Sequence, residues 1–67
     1  MEIILNNKSE RFEQSHLSIE ELIHLKNYTF KMLVTRLNDK LVKKEDRTAT
    51  QIEDGDKVDI LHLMSGG

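Results

Sequence analysis

Only one stretch of this chain carries a helix signal, and a helix there is too short to stand alone. Ser18 and Glu21 make an S-x-x-E capping box, in which the serine oxygen accepts from a first-turn amide and the glutamate reaches back. Leu17 before the cap and Leu22 in the fourth helical position have the spacing of a hydrophobic staple. Ile19, Leu22 and Ile23 form one apolar face and Asn27 is a suitable stop, so the helix is predicted over 18–27. Helices shorter than about 12–15 residues are marginal in water, so this face must be covered by a sheet.

Strand signals surround it. Met1 to Leu5 is apolar and branched, and Asn6-Asn7 supplies residues that tolerate the left-handed angles of a hairpin turn. Ser9 to Gln14 alternates weakly around Phe12, as an edge strand with one buried side chain. Phe30 to Leu37 puts Leu33, Thr35 and Leu37 on one face and Met32, Val34 and Arg36 on the other. Asn38-Asp39 turns the chain into a short strand at Leu41-Val42, and a charged stretch from Lys43 to Gln51 follows. Asp54-Gly55-Asp56 is a turn, and Lys57 to Leu63 alternates as the last strand. The order β-β-α-β-β-β, with its most apolar runs first and last, predicts an α+β fold of the β-grasp (ubiquitin-like) type. In it a mixed sheet curls around one helix and the first and last strands lie inside the sheet.

Composition removes most other functions. With 67 residues there is room for one domain, which buries only about 60% of its unfolded surface. Without cysteine there is no thiol nucleophile, redox pair or Cys-based zinc site. The net charge of −2 and three aromatics give neither a phosphate groove nor a base-stacking platform, so no nucleic-acid partner is expected. Lys40, Lys43 and Lys44 stand among Asp39, Glu45 and Asp46 and read as solvated surface. His16, His24 and His62 are scattered, so no metal site is expected, and Glu20 and Glu21 serve the helix dipole. There is no P-loop, no secretory signal and no apolar run that could enter a membrane, and a cytoplasmic location is expected.

What remains is the end of the chain. Val58 and Ile60 share the inward face of the last strand, whereas Asp59, Leu61 and Leu63 share the outward one and suggest an apolar docking patch continued by Met64. A β-grasp domain over 1–63 then leads into a flexible tail over 64–67, Met64-Ser65-Gly66-Gly67. Two terminal glycines arise by chance in about one chain in two hundred, which favours a purpose over a frayed end. The chemistry available is that of the Gly67 carboxylate. It is inert until ATP converts it to an acyl-adenylate inside another enzyme, and Gly66, with Ser65 behind it, keeps the end slender enough to enter a narrow channel.

Ile52-Glu53-Asp54-Gly55-Asp56-Lys57-Val58-Asp59-Ile60 followed by Gly66-Gly67 resembles the C-terminal third of the ThiS family, the sulfur carriers of thiamine biosynthesis. Ile3 to Lys8 is similar to that family's opening strand and turn, and Leu37 to Val42 to its middle hairpin. Where the family usually has Pro-Arg and often a following aromatic, this chain has Lys43-Lys44 and then Asp46-Arg47; Asp39 replaces a common glycine. The resemblance implies a carrier that is not itself an enzyme and binds no cofactor. A ubiquitin-activating-type enzyme (ThiF-like) would adenylate Gly67 with ATP, and a sulfur donor such as a cysteine desulfurase would convert it to a thiocarboxylate. Thiazole synthase (ThiG-like) would then receive the sulfur, with Leu61, Leu63 and Met64 as the docking surface. Two alternatives share the Gly-Gly ending: a small subunit of molybdopterin synthase, and a ubiquitin-like modifier or interaction module.

Overall fold

The chain opens on β1, Glu2–Leu5, which turns Ile3 and Leu5 into the core and leaves Glu2 and Ile4 outside. Asn6 and Asn7 follow with φ of 50° and 68°, both in the left-handed region that two-residue hairpin turns require, and β2, Lys8–Arg11, returns antiparallel. Residues 1–29 and 31–63 are described in this computed structural model. The edge strand is shorter than its weak alternation suggests: it ends at Arg11, and Phe12 lies just beyond it, half-buried against the core.

The helix α1, Ile19–Leu25, starts where the capping box places it and buries Ile19, Leu22 and Ile23. It is shorter than 18–27, because Ser18 is its extended N-cap and Lys26 its C-cap, and Asn27 then takes φ 58° and stops it. The Lys26 ammonium reaches the Glu10 carboxylate at 2.7 Å, joining the helix end to β2, and this bond raises the lysine pKa.

At the other end, Ser18 Oγ accepts from Glu21 N–H at 3.0 Å and Glu21 Oε1 accepts from Ser18 N–H at 2.8 Å. The backbone and side-chain bonds with Ser18 favour the ionised carboxylate and hold the Glu21 pKa below its ordinary value. A lowered carboxyl pKa adds stability that is present above the unfolded value and is lost as pH falls through the folded one. Replacing Glu21 with Ala should therefore destabilise the protein at neutral pH. Paired urea titrations should show the gap to wild type narrowing once the solution is more acidic than the carboxylate range, and a constant gap would contradict the capping account.

After the helix come β4, Leu33–Leu37, and β5, Lys40–Val42, joined by Asn38-Asp39 with φ of 51° and 70°. Phe30 lies outside the described residues, and the strand predicted from it begins at Leu33. The final strand β7, Lys57–His62, runs parallel to β1 and antiparallel to β4, giving a mixed sheet in the order β2-β1-β7-β4-β5. The last strand in sequence is thus the central one, as its apolar run predicts.

Two further strands were not legible in the sequence. β3, His16–Ser18, pairs antiparallel with β6, Gln51–Glu53, as a separate ribbon, and a 3-10 turn, Lys44–Asp46, sits in the charged stretch. Leu17 and Ile52 face each other in this ribbon and both are buried. The resulting core is Ile3, Leu5, Leu17, Ile19, Leu22, Ile23, Val42, Ile52, Val58 and Ile60, one cluster between sheet, ribbon and helix.

Candidate functional site

The turn that launches β7 is built by its aspartates. Asp54 Oδ1 accepts from Glu2 N–H at 2.7 Å and Asp56 Oδ2 accepts from Glu53 N–H at 2.8 Å, while Gly55 takes φ 87°, where a side chain would be strained. Gly55 N–H donates to the Glu2 carbonyl and Ile4 N–H to the Asp56 carbonyl, so the turn is laced to β1. Each residue of the Asp-Gly-Asp motif has a structural task here.

Along β7 the alternation holds. Val58 and Ile60 are buried, Asp59 is half-buried, and Leu61 and Leu63 are 43% and 47% exposed on the outward side. Strand pairing settles which neighbours share that side. Val34 stands opposite Leu61, and Leu63 N–H donates to the Met32 carbonyl at 3.0 Å, so exposed Met32 and half-buried Val34 extend the apolar patch toward the tail. Leu41, 65% exposed, and Ile4 add apolar surface farther along the same face. Arg36 and Asp59 face each other across β4 and β7, and Lys57 bonds Asp39 at 3.0 Å, which raises the lysine pKa.

Where β1 stops, the Asn6 side chain continues its pairing. Asn6 N–H donates to the Val58 carbonyl, its Nδ2 donates to the Ile60 carbonyl at 3.1 Å, and its Oδ1 accepts from Ile60 N–H at 2.8 Å. The primary amide thus imitates one more strand residue beside β7. Asn38 Oδ1 similarly accepts from Lys57 N–H at 2.9 Å at the start of the strand. Both asparagines are readable in the sequence as turn residues, but nothing there marks their second role.

Met64, Ser65, Gly66 and Gly67 lie outside the described residues, so the structure follows β7 up to Leu63. Elsewhere His16, His24 and His62 are exposed, and among the described residues no three His, Cys, Asp or Glu side chains come together as metal ligands. Among the described residues no helix is long and apolar enough to cross a membrane.

The arrangement is a central strand paired with β1 at its start and with β4 up to His62, whose outward face is charged at Lys57 and Asp59 and apolar at Leu61 and Leu63. Its likeness to known proteins follows the whole chain. It is similar to the thiamine biosynthesis protein ThiS from Geobacter metallireducens, whose crystal structure is 30% identical, superposes with a TM-score of 0.86 and is covered completely by the complete chain. A solution NMR structure of a thiamine biosynthesis protein from the same organism, also 30% identical, gives a TM-score of 0.78, with all of this chain and 88% of that one covered. A search of curated proteins returned no match. With the model of the ThiS family matching residues 2–67, from the first strand through the terminal glycines, the chain belongs to the ThiS family.

Proposed function

We propose that this protein is a sulfur carrier for the thiazole of thiamine, and that its working group is the Gly67 carboxylate. The observation that carries this reading is a family match that runs to the last residue. A carboxylate oxygen of Gly67 attacks the α-phosphorus of ATP in a separate ubiquitin-activating-type enzyme, releasing pyrophosphate and leaving an acyl-adenylate. A persulfide sulfur from a donor such as a cysteine desulfurase then attacks the acyl carbon and AMP leaves; a second thiol attacks the donor-side sulfur of the resulting acyl disulfide, forming a new disulfide with the donor and releasing the thiocarboxylate. Thiazole synthase takes the sulfur. The carrier supplies no catalytic group of its own; ATP is consumed on the partner.

The geometry described above supports this division of labour. β4 pairs with β7 up to His62 and the Asn6 side chain bonds Ile60 from the other side, so the strand is anchored close to Leu63; Leu61 and Leu63 with Met32 and Val34 supply apolar area for a partner to cover, and Met64 follows them in sequence. Gly66 and Ser65 keep the end narrow.

The deciding experiment incubates the protein with the activating enzyme, ATP and a sulfur donor and records its intact mass. A species with one terminal oxygen replaced by sulfur is expected. Its absence, or isopeptide bonds from Gly67 to lysines of other proteins in its place, would reject the carrier reading. Stable capture of a molybdopterin-synthase large subunit in preference to thiazole synthase would redirect the acceptor.

A further inference from the structure

The charged stretch after β5 contains a cation that is not solvated. Arg47 is only 9% exposed, and its side chain runs under the sheet to β4. Its Nη2 donates to the Leu33 carbonyl at 2.7 Å and its Nε donates to Thr35 Oγ1 at 3.2 Å; that hydroxyl in turn donates to the Val42 carbonyl at 2.7 Å. Its backbone is fixed too, because Arg47 N–H donates to the Lys44 carbonyl and Glu20 N–H, in the first turn of α1, donates to the Arg47 carbonyl.

The register explains why a guanidinium is needed there. Along an antiparallel strand successive residues direct their N–H and C=O groups to alternate sides. Leu63 N–H bonds the Met32 carbonyl and Asn38 N–H the Lys57 carbonyl, so the even-numbered residues of β4 bond β7 and the odd-numbered ones face β5. β5 covers Leu37 and Thr35 and stops at Val42, because the chain then enters the 3-10 turn. Among the described residues no strand receives the Leu33 carbonyl. Arg47 takes the place of the missing strand. Leu33 is the residue opposite His62, one step before the Met32–Leu63 bond that ends the ladder.

We propose that Arg47 is a positioning residue for the docking patch: by completing the ladder at the Leu33 end of β4, it fixes the end of β7 and holds the Met32–Leu63 patch in register. This rests on the carrier reading above. The energetic case is that a hydrogen bond from a charged donor is stronger than a neutral one, and removing it takes a partner from the half-buried Leu33 carbonyl and from the buried Thr35 hydroxyl.

The test uses the full chain. Arg47→Met keeps the buried stem and removes every donor, Arg47→Lys restores one donor, and Ile3→Val weakens the core in β1, away from the site. Working well below the melting temperature of each variant, amide exchange at Leu61 and Leu63 should be about tenfold faster in Arg47→Met than in Ile3→Val, as expected for one lost hydrogen bond. In ATP–pyrophosphate exchange with the activating enzyme, Arg47→Met should raise the KM for the carrier by about tenfold and leave kcat unchanged, with Arg47→Lys in between. If Leu61 and Leu63 exchange and KM match those of Ile3→Val, Arg47 is a stabilising residue only and the proposal falls. If wild-type protein is not adenylated at all, the carrier reading fails, and the exchange comparison alone then decides whether Arg47 holds the end of the ladder.

Discussion

Deleting Gly66 and Gly67 should abolish ATP-dependent activation while leaving the folded domain intact. Among the described residues the ten buried apolar ones lie between Ile3 and Ile60, and the last backbone bond of the sheet is made at Leu63. On the proposed function the deletion removes the reacting carboxylate, and it takes away none of these ten residues. Stability by urea titration should change by no more than ~0.5 kcal/mol, the range of ordinary surface changes. Pyrophosphate exchange should fall to background. A truncated protein that still supports exchange would place the reacting group elsewhere, and one that unfolds would mean the tail is structural.

The second large effect concerns the ribbon. Ile52 is fully buried in β6 and pairs with Leu17 in β3, directly ahead of the helix cap. Truncating a buried isoleucine to alanine costs roughly 2–5 kcal/mol, from lost transfer free energy and the cavity left behind. A core of this size seldom supplies more than about 3–5 kcal/mol in total, and no disulfide or cysteine-bound metal is available to offset the loss. Ile52→Ala should therefore be substantially unfolded at 25 °C, with a flattened near-ultraviolet spectrum and a urea midpoint close to zero. The same truncation at Leu41, which is exposed, should leave the midpoint nearly unchanged.

That contrast shows where the sequence is informative and where it is not. The five strands of the main sheet announce themselves because each is bounded by a turn residue, Asn6-Asn7, Asn38-Asp39 or Gly55, or carries a run of alternating apolar side chains. The helix cap is legible to the residue because a capping box is a local device whose partners lie three positions apart. β3 and β6 have three residues each, and β6 has a single inward side chain, too little for a period to appear; tertiary pairing makes them strands. In the site, the inward and outward division of β7 follows from alternation alone. That Met32 and Val34 join Leu61 and Leu63 depends on register, which no segment of β7 encodes by itself. Arg47 was hidden most completely. Among lysines and acids it has the appearance of solvated charge, and only the early end of β5 gives its guanidinium the half-buried Leu33 carbonyl to reach.

Strand order has a consequence for how such a protein is made. The sheet is organised around the last strand of the described residues, so Leu5 meets its partner Val58 only after most of those residues have been made. A nascent chain that terminates before Lys57 lacks the strand to which β1 and β4 both bond, so it has no partial fold in which to persist and is exposed to proteolysis. Closure of the sheet therefore waits on β7: until the segment through His62 has been made, β1 and β4 lack the partner they share.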